Sequence, residues 1–323
     1  MNVIGIDIGG TKCAVAYGKV GDNGSIEIVD KMKFDTAKVD ETIDNLLETT
    51  SLLMQKYGLD SANTSAIGVS CGGPLDRKKG VIMSPPNLPG WDNIPIVEYF
   101  EKRFHVKTAV QNDANACALA EWKFGAARGY NNVIFMTFGT GMGAGLILDG
   151  KLYAGTNDNA GEVGHIRLEK TGPVGYGKAG SFEGFCSGGG IAQLARVKVM
   201  EKLQMGDPVS FCNNMNELDK LTAKIVAEAA ETGDTLAREI YRECAHYLGK
   251  ALSIIIDVLN PEIIVLGSIY CRAQSLIEPT MQEVIDSETI IHTRRVCKIV
   301  PADLGESIGD YAALSVAVNA LIQ

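Results

Sequence analysis

Two short Gly/Thr runs stand out for what they could hold. Asp7-Ile8-Gly9-Gly10-Thr11-Lys12 closes an apolar stretch that begins at residue 3, and Gly139-Thr140-Gly141-Met142-Gly143 closes another that begins at residue 133. Glycines let a backbone turn tightly and approach an anion, so that successive N–H groups point at phosphate oxygens. Thr11 and Thr140 add hydroxyl donors, and Asp7 is placed to hold a metal-bound water beside the phosphates. Asn112-Asp113 follows an apolar stretch and opens a helical pattern, a good position for a base and a hydrogen-bonding partner. Gly161-Glu162-Val163-Gly164-His165 sets a carboxylate and an imidazole three residues apart between glycines, and Glu183 follows in a glycine-rich stretch. Such a mixture suits the hydroxyls of a sugar ring. Holding a polyphosphate, placing a metal and supplying a base to an accepting hydroxyl are what phosphoryl transfer requires. Taken singly, each feature has a plainer reading: a Gly/Thr turn is a hairpin, Asp113 is a helix N-cap, and a histidine is a structural residue. Two matched turns, one preceded by an Asp, favour a nucleotide.

The elements around these residues form an internal echo. In each half a short strand runs into a Gly/Thr turn and a second strand, with Asp7 aligned to Thr137 and Gly9 to Gly139. This predicts two related lobes. Residues 139–144 also fit G-x-G-x-x-A, but that dinucleotide fingerprint needs a helix directly after the glycines. Here Gly145-Leu146-Ile147-Leu148 reads as a strand leading to an Asp149-Gly150 turn. Apolar residues at helical spacing predict a helix over 39–57, ended by Gly58. Strands are expected at 66–70, 106–110 and 263–266, with helices at 114–124, 235–259 and from about Gly309. Residues 166–190 read as a long functional loop or lid. The alternation is α/β throughout.

Composition narrows the class. The 323 residues suffice for two domains with cores of their own, and 46% hydrophobic with 21% charged residues is ordinary for a folded chain. A net charge of −9 argues against a nucleic-acid partner. The eight cysteines form no C-x-x-C pair and are expected as reduced, buried residues. No leader pattern opens the chain. The most apolar helix, around 248–259, is broken by Lys250 and Asp257 and is too short to cross a bilayer. A cytoplasmic location without membrane attachment is the expectation.

With these motifs in order, the chain resembles the ROK family of repressors, open reading frames and kinases, over nearly its whole length. Asp7 to Lys12 looks like the family's first phosphate motif, and Phe138 to Gly143 like its second. Asn112-Asp113-Ala114-Asn115-Ala116 is similar to the catalytic segment, with Asp113 at the general-base position. Gly161 to His165 resembles the sugar-binding motif, and Glu183 falls where a further sugar ligand is expected. Gly72-Gly73-Pro74-Leu75-Asp76 and Pro86-Asn87-Leu88-Pro89-Gly90-Trp91 match loops that flank the sugar. The resemblance implies a two-lobed, actin-like (ribonuclease H-like) ATPase and sugar-kinase fold with the active site in the cleft. One lobe is expected over 1–115 plus about 307–323, the other over 116–306. It implies ATP and Mg2+ as cofactors, with Asp7, Gly9, Gly10, Thr11, Lys12, Gly139, Thr140, Gly141 and Gly267 toward the nucleotide, and Asp7 toward Mg2+ through water. Gly72, Gly73, Asn87, Asn112, Asp113, Glu162, His165 and Glu183 would face the sugar. A homodimer or homotetramer is implied as well.

Two departures from the family pattern matter. The family usually holds zinc with one histidine and three cysteines in C-x-C-G-x-x-G-C-x-E, but here Val174, Tyr176 and Ser181 occupy the cysteine places. His165 alone cannot hold the metal, so no zinc is expected, and stoichiometric zinc in metal analysis of purified protein would contradict this. The second departure is Gly267-Ser268-Ile269, where the family commonly has a run of glycines near the adenosine. Glucose is the default acceptor, at the carbon-6 hydroxyl. Gly72-Gly73 resembles N-acetylmannosamine kinases, and fructose, other N-acetylhexosamines and β-glucosides stay open. Two rivals are a repressor, for which no helix-turn-helix segment is expected before Asp7, and a non-catalytic sugar sensor.

Overall fold

The computed structural model describes residues 1–22 and 24–322; residue 323, the end of the expected first lobe, lies outside the described residues. In chain order the elements are β1 (Asn2–Ile8), β2 (Lys12–Val20), β3 (Ile26–Asp35), α1 (Val39–Lys56), β4 (Thr64–Cys71), β5 (Leu75–Asp76), β6 (Val81–Ile82), α2 (Ile96–Phe104), β7 (Thr108–Asn112), α3 (Asp113–Phe124) and β8 (Val133–Met136). They continue through β9 (Ala144–Leu148), β10 (Lys151–Tyr153), β11 (Val174–Gly175), β12 (Lys178–Ala179), α4 (Phe182–Phe185), α5 (Gly188–Gln204), α6 (Ala223–Glu231) and α7 (Thr235–Leu259). The last are β13 (Ile263–Leu266), α8 (Ile269–Glu288), α9 (Ile291–Arg294), β14 (Lys298–Pro301) and α10 (Ile308–Ala320).

Two five-stranded sheets have the orders β3-β2-β1-β4-β7 and β10-β9-β8-β13-β14. The sequence echo therefore extends to whole topologies: each sheet places its third, second, first, fourth and fifth strand in that order. In both, an antiparallel pair leads into parallel strands, β1–β4–β7 in one and β13–β14 in the other.

The chain divides into two compact units. The first comprises Met1–Phe135, Gly145–Ala160 and Asp303–Gln323, and the second Met136–Ala144 and Gly161–Ala302. The sequence reading put the bound at 115/116. Residues 116–135 group with the first unit because α3 packs against α10 through Ala116, Ala120, Ala312 and Val316.

In the first unit the alternation of β1 decides the layering. Ile4, Ile6 and Ile8 face a core shared with Leu46 and Leu53 of α1, Phe100 of α2 and Trp91 of the loop before α2. Val3 faces the other way, toward Leu314 and Ala317 of α10. That helix lies very close to the sheet. A Cβ on Gly68 would meet the Ala313 carbonyl oxygen and Ala317 nitrogen at 2.3 Å, and one on Gly5 would meet the Leu314 nitrogen at 2.7 Å. In the second unit α7 is the central helix: Ile240, Tyr241, Cys244, Leu248 and Leu252 recur along its buried face. Gly249 lets α8 approach, since a Cβ there would lie 2.6 Å from the Val284 side chain. The segment expected as a long functional loop or lid, 166–190, contains β11, β12 and α4 and runs into α5. Among the described residues no helix is long and apolar enough to cross a membrane.

Candidate active site

In the first unit three adjacent parallel strands end in register. Ile8 pairs with Cys71 and Cys71 with Asn112, so the turn after β1, the Gly72-Gly73 loop and Asn112-Asp113 leave the same edge of the sheet. Ligands of open α/β sheets bind outside the carboxyl ends of the strands. The first Gly turn is closed by Gly9 N–H to the Lys12 carbonyl at 3.1 Å and tied down by the Thr36 hydroxyl on the Gly9 carbonyl at 2.7 Å. Gly10 must be glycine, because a Cβ would meet the Asn87 carbonyl oxygen at 2.5 Å. The Asn87 side chain lies beside Gly72, and the Asn112 amide beside Gly73. The unit thus brings Gly9, Gly10, Gly72, Gly73, Asn87 and Asn112 together around Asp7 and Asp113, with Thr11 and Lys12 exposed at the turn.

Asn112 is the N-cap of α3, its side-chain oxygen accepting from the Ala114 and Asn115 N–H groups. The capping role that Asp113 could have held alone is therefore filled by its neighbour. Asp113 is exposed by area, yet protein crowds its carboxyl closely enough that desolvation raises its pKa, partly offset by the Ala114 N–H that donates to it at 2.7 Å. A carboxylate with a raised pKa is a stronger base.

Asp7 is shifted further, from 3.8 to about 6, by burial first and then by the charges of Asp310 and Asp113, against the lowering influence of Lys31 and Lys33. Asp310 near the start of α10 forms an ion pair with Lys31, and a Cβ on Gly309 would approach the Asp7 carboxylate to 2.9 Å. Asp310 and Lys31 escaped the sequence reading because they meet across 279 residues. Because Asp7 has a raised pKa, its protonated form favours the folded state: that stability is full below about pH 4 and lost as pH rises through 6. Asp7→Asn should stabilise the ligand-free protein at pH 7.5 by about 2–3 kcal/mol, at about 1.4 kcal/mol per unit, with almost no gain at pH 4. Thermal melts of both proteins at the two pH values check this.

In the second unit the second Gly turn is closed by Thr137 N–H to the Gly143 carbonyl and by the Thr137 hydroxyl accepting from the Gly143 N–H, both 3.0 Å. Thr137, which aligns with Asp7, thus serves as a turn lock. The turn packs on the 161–165 segment through glycines: a Cβ on Gly161 would meet the Ala144 carbonyl oxygen at 2.0 Å, and one on Gly164 the Met142 carbonyl oxygen at 2.1 Å. Glu183 accepts from the Met142 N–H at 3.0 Å and lies against Gly141. Gly139, Thr140, Gly141 and Glu183 are therefore one assembly, and Glu162 and His165 flank it as exposed residues.

The segment that lacks the cysteines is held by other means. Gln193 of α5 makes a paired amide contact with Val174, accepting from its N–H and donating to its carbonyl, both at 2.9 Å. Ser181, fully buried, caps α4 through the Gly184 N–H, and Lys178 donates to the His165 carbonyl at 2.6 Å. The ring of Tyr176 stands edge-on to His165, with centroids 6.1 Å apart. Among the described residues no three His, Cys, Asp or Glu side chains are grouped to hold a metal.

A cavity of about 800 Å³ opens beside the second turn, lined by Gly139, Thr140, Gly188, Gly189, Ser268 and the cations Arg196, Lys224 and Arg272. The three cations and the α5 start were missed in the sequence, although Ser187 before three glycines is a readable helix N-cap, and Ser187 does cap Gly190. Gly267 is buried with its N–H on the Met136 carbonyl, so the cavity is met by Ser268 instead. Ser268 adopts φ 49°, ψ −104°, a region that suits glycine and strains a residue with a Cβ. This explains why a glycine serves well here. Ser268→Gly should raise stability by about 1 kcal/mol by releasing the strain, read as a higher denaturant midpoint at unchanged slope; a lower midpoint would contradict it.

The ROK family profile matches residues 3–319. A glucokinase of Halalkalibacterium halodurans is 33% identical over 288 residues, covering 86% of this chain and 84% of its own. The structure of a ROK family glucokinase from Streptomyces griseus, in complex with glucose and AMPPNP, superposes with a TM-score of 0.76 at 28% identity over 99% of this chain and all of that one. The DNA-binding transcriptional dual regulator NagC of Escherichia coli is 30% identical over 270 residues, 83% of this chain and 64% of its own. With both Gly turns, the doubled sheet order and the Asn-Asp strand end in place, the chain belongs to the ROK family and has the fold of its sugar kinases.

Proposed function

We propose that the protein is an ATP-dependent sugar kinase that phosphorylates a hexose, with glucose as the default acceptor and the carbon-6 hydroxyl as the nucleophile. The observation that carries this is the register of β1, β4 and β7, which sets the Asp7 turn and Asp113 at one sheet edge. A desolvated carboxylate beside that turn is placed to take a proton from an accepting hydroxyl. In this reading Asp113 takes the proton from the sugar hydroxyl as that oxygen bonds to the γ-phosphorus of ATP and the bond from the γ-phosphorus to the β,γ-bridging oxygen breaks, with ADP as the leaving group. Asn112, Asn87, Glu162, His165, Glu183 and the Gly72-Gly73 backbone orient the ring. The turns at Gly9-Gly10-Thr11-Lys12 and Gly139-Thr140-Gly141 carry the phosphates, and the 800 Å³ cavity suits the adenosine.

Mg2+ would supply charge neutralisation on the phosphates. Asp7 fits a cation nearby, because Asp310 and Asp113 crowd its carboxyl with like charge. Asp7 would act through a bound water, with no dedicated protein cage. The relatives' glucokinase names support glucose, while Gly72-Gly73 keeps N-acetylmannosamine in view. The test is to incubate the protein with Mg-ATP and single sugars (glucose, fructose, N-acetylmannosamine, N-acetylglucosamine, a β-glucoside) and locate the new phosphate by phosphorus–proton NMR. Phosphate on carbon 6 of glucose is the expected product, and a phosphate at another carbon would overturn the assignment of the nucleophile.

A further inference from the structure

The first unit holds a second cavity, of about 790 Å³, lined by neither phosphate turn nor Asp113. It runs along the outer side of β7, the last strand of its sheet. Ile67 N–H donates to the Lys107 carbonyl, and the register then turns the backbone N–H and C=O of residues 108 and 110 away from β4. The Thr108 N–H is taken by the Glu101 carboxyl at 3.1 Å, which leaves the Val110 edge along the cavity wall. Three cations come from the turn between β5 and β6 (Arg77, Lys78 and Lys79), and Lys102 of α2 and Lys107 add two more. Among the described residues the carboxylates in the lining are Glu98 and Glu101. Such a collection is unexpected in a chain of net charge −9.

Of these cations Arg77 is committed to a carboxylate, and the four lysines are held more loosely. Lys79 pairs with Asp76 and Lys102 with Glu98 as exposed pairs within one stretch of chain, and pairs of that kind contribute little. Lys107 donates to the Ala320 carbonyl and so offsets the negative end of α10. Arg77 is paired with Asp158, which fixes the turn and neutralises that guanidinium. Lys78 has no carboxylate partner among the described residues. The volume is that of a small-molecule site.

We propose that this cavity is a binding site for a small phosphorylated metabolite carrying at least two negative charges, separate from the phosphate turns. It borders the strand that continues into Asn112 and Asp113, and Leu119 of the helix that Asp113 opens. The probe is inorganic pyrophosphate, titrated by calorimetry at low salt into protein already saturated with a non-hydrolysable ATP analogue. One further site is expected, weakened at least 10-fold in the Lys78→Glu, Lys79→Glu double variant at unchanged melting temperature, and about 3-fold in Lys102→Gln on a different element. Affinity should fall steeply with added salt. No pyrophosphate heat in the saturated protein, or equal affinity in the double variant, would overturn the proposal. Binding of a hexaglutamate peptide without pyrophosphate binding would overturn it too, in favour of an extended acidic partner at the β7 edge. Should the ATP analogue not bind, the kinase reading fails by itself, and the comparison of wild type with double variant still decides this site.

Discussion

Asp113→Asn should lower turnover by about 10³-fold, the middle of the range for removing a general base, while leaving the sugar dissociation constant within about 3-fold. The two readouts separate because of how the residue is placed. The Asn side chain keeps an oxygen for the Ala114 N–H that now donates to Asp113 at 2.7 Å, and Asn112 still caps α3, so the backbone that positions the neighbouring ligands is preserved. What is lost is the basic oxygen that desolvation has made a better proton acceptor. Steady-state ADP release and calorimetry with the sugar measure the two quantities. Near-normal turnover would remove Asp113 from the mechanism, and a parallel loss of sugar binding would make it a ligand instead of a base.

The largest effect on stability is expected at Glu121. It is fully buried in α3, and its carboxyl accepts from three backbone N–H groups: Ala126 at 2.8 Å, Leu304 at 3.0 Å and Asp303 at 3.1 Å. Asp303 is where the chain re-enters the first unit, so one side chain fastens the end of its own helix and the approach to α10. Gly125 makes room for it, since a Cβ there would lie 2.0 Å from the carboxylate oxygen. Glu121→Ala would orphan these donors in a closed space, and each buried unsatisfied group costs about 1–3 kcal/mol. A loss of about 3–5 kcal/mol is expected, or roughly 10 °C in melting temperature for a unit of this size. Glu121→Gln, keeping one acceptor oxygen, should lose about half as much. An alanine variant within 1 °C of wild type would show that water or backbone shifts satisfy the donors.

What was legible in the sequence was local. The Gly/Thr turns, the strands that lead into them and the Asn-Asp strand end are short runs whose chemistry is contiguous, and their repetition pointed to two related lobes but not to the five-strand order of each sheet. The role of Asn112 as cap was hidden by its neighbour, because either residue could fill it. Asp310 and Lys31 could not be read, since their contact spans nearly the whole chain. Glu121 looked like any polar residue on a helix until the returning segment at 303–304 gave it donors. Residues 166–190 read as a long loop or lid because their order comes from Gln193, Ser181 and glycine contacts instead of from hydrophobic periodicity. The absence of the cysteines was plain; the amide pair between Gln193 and Val174 was not.

ADP release from Mg-ATP, measured with and without glucose, separates a kinase from a sensor. Release should depend on the sugar, match the sugar phosphate formed mole for mole, and disappear in Asp113→Asn. Nucleotide and sugar binding with no sugar-dependent release from any hexose tried would contradict the kinase reading and leave a sensor built on a kinase fold.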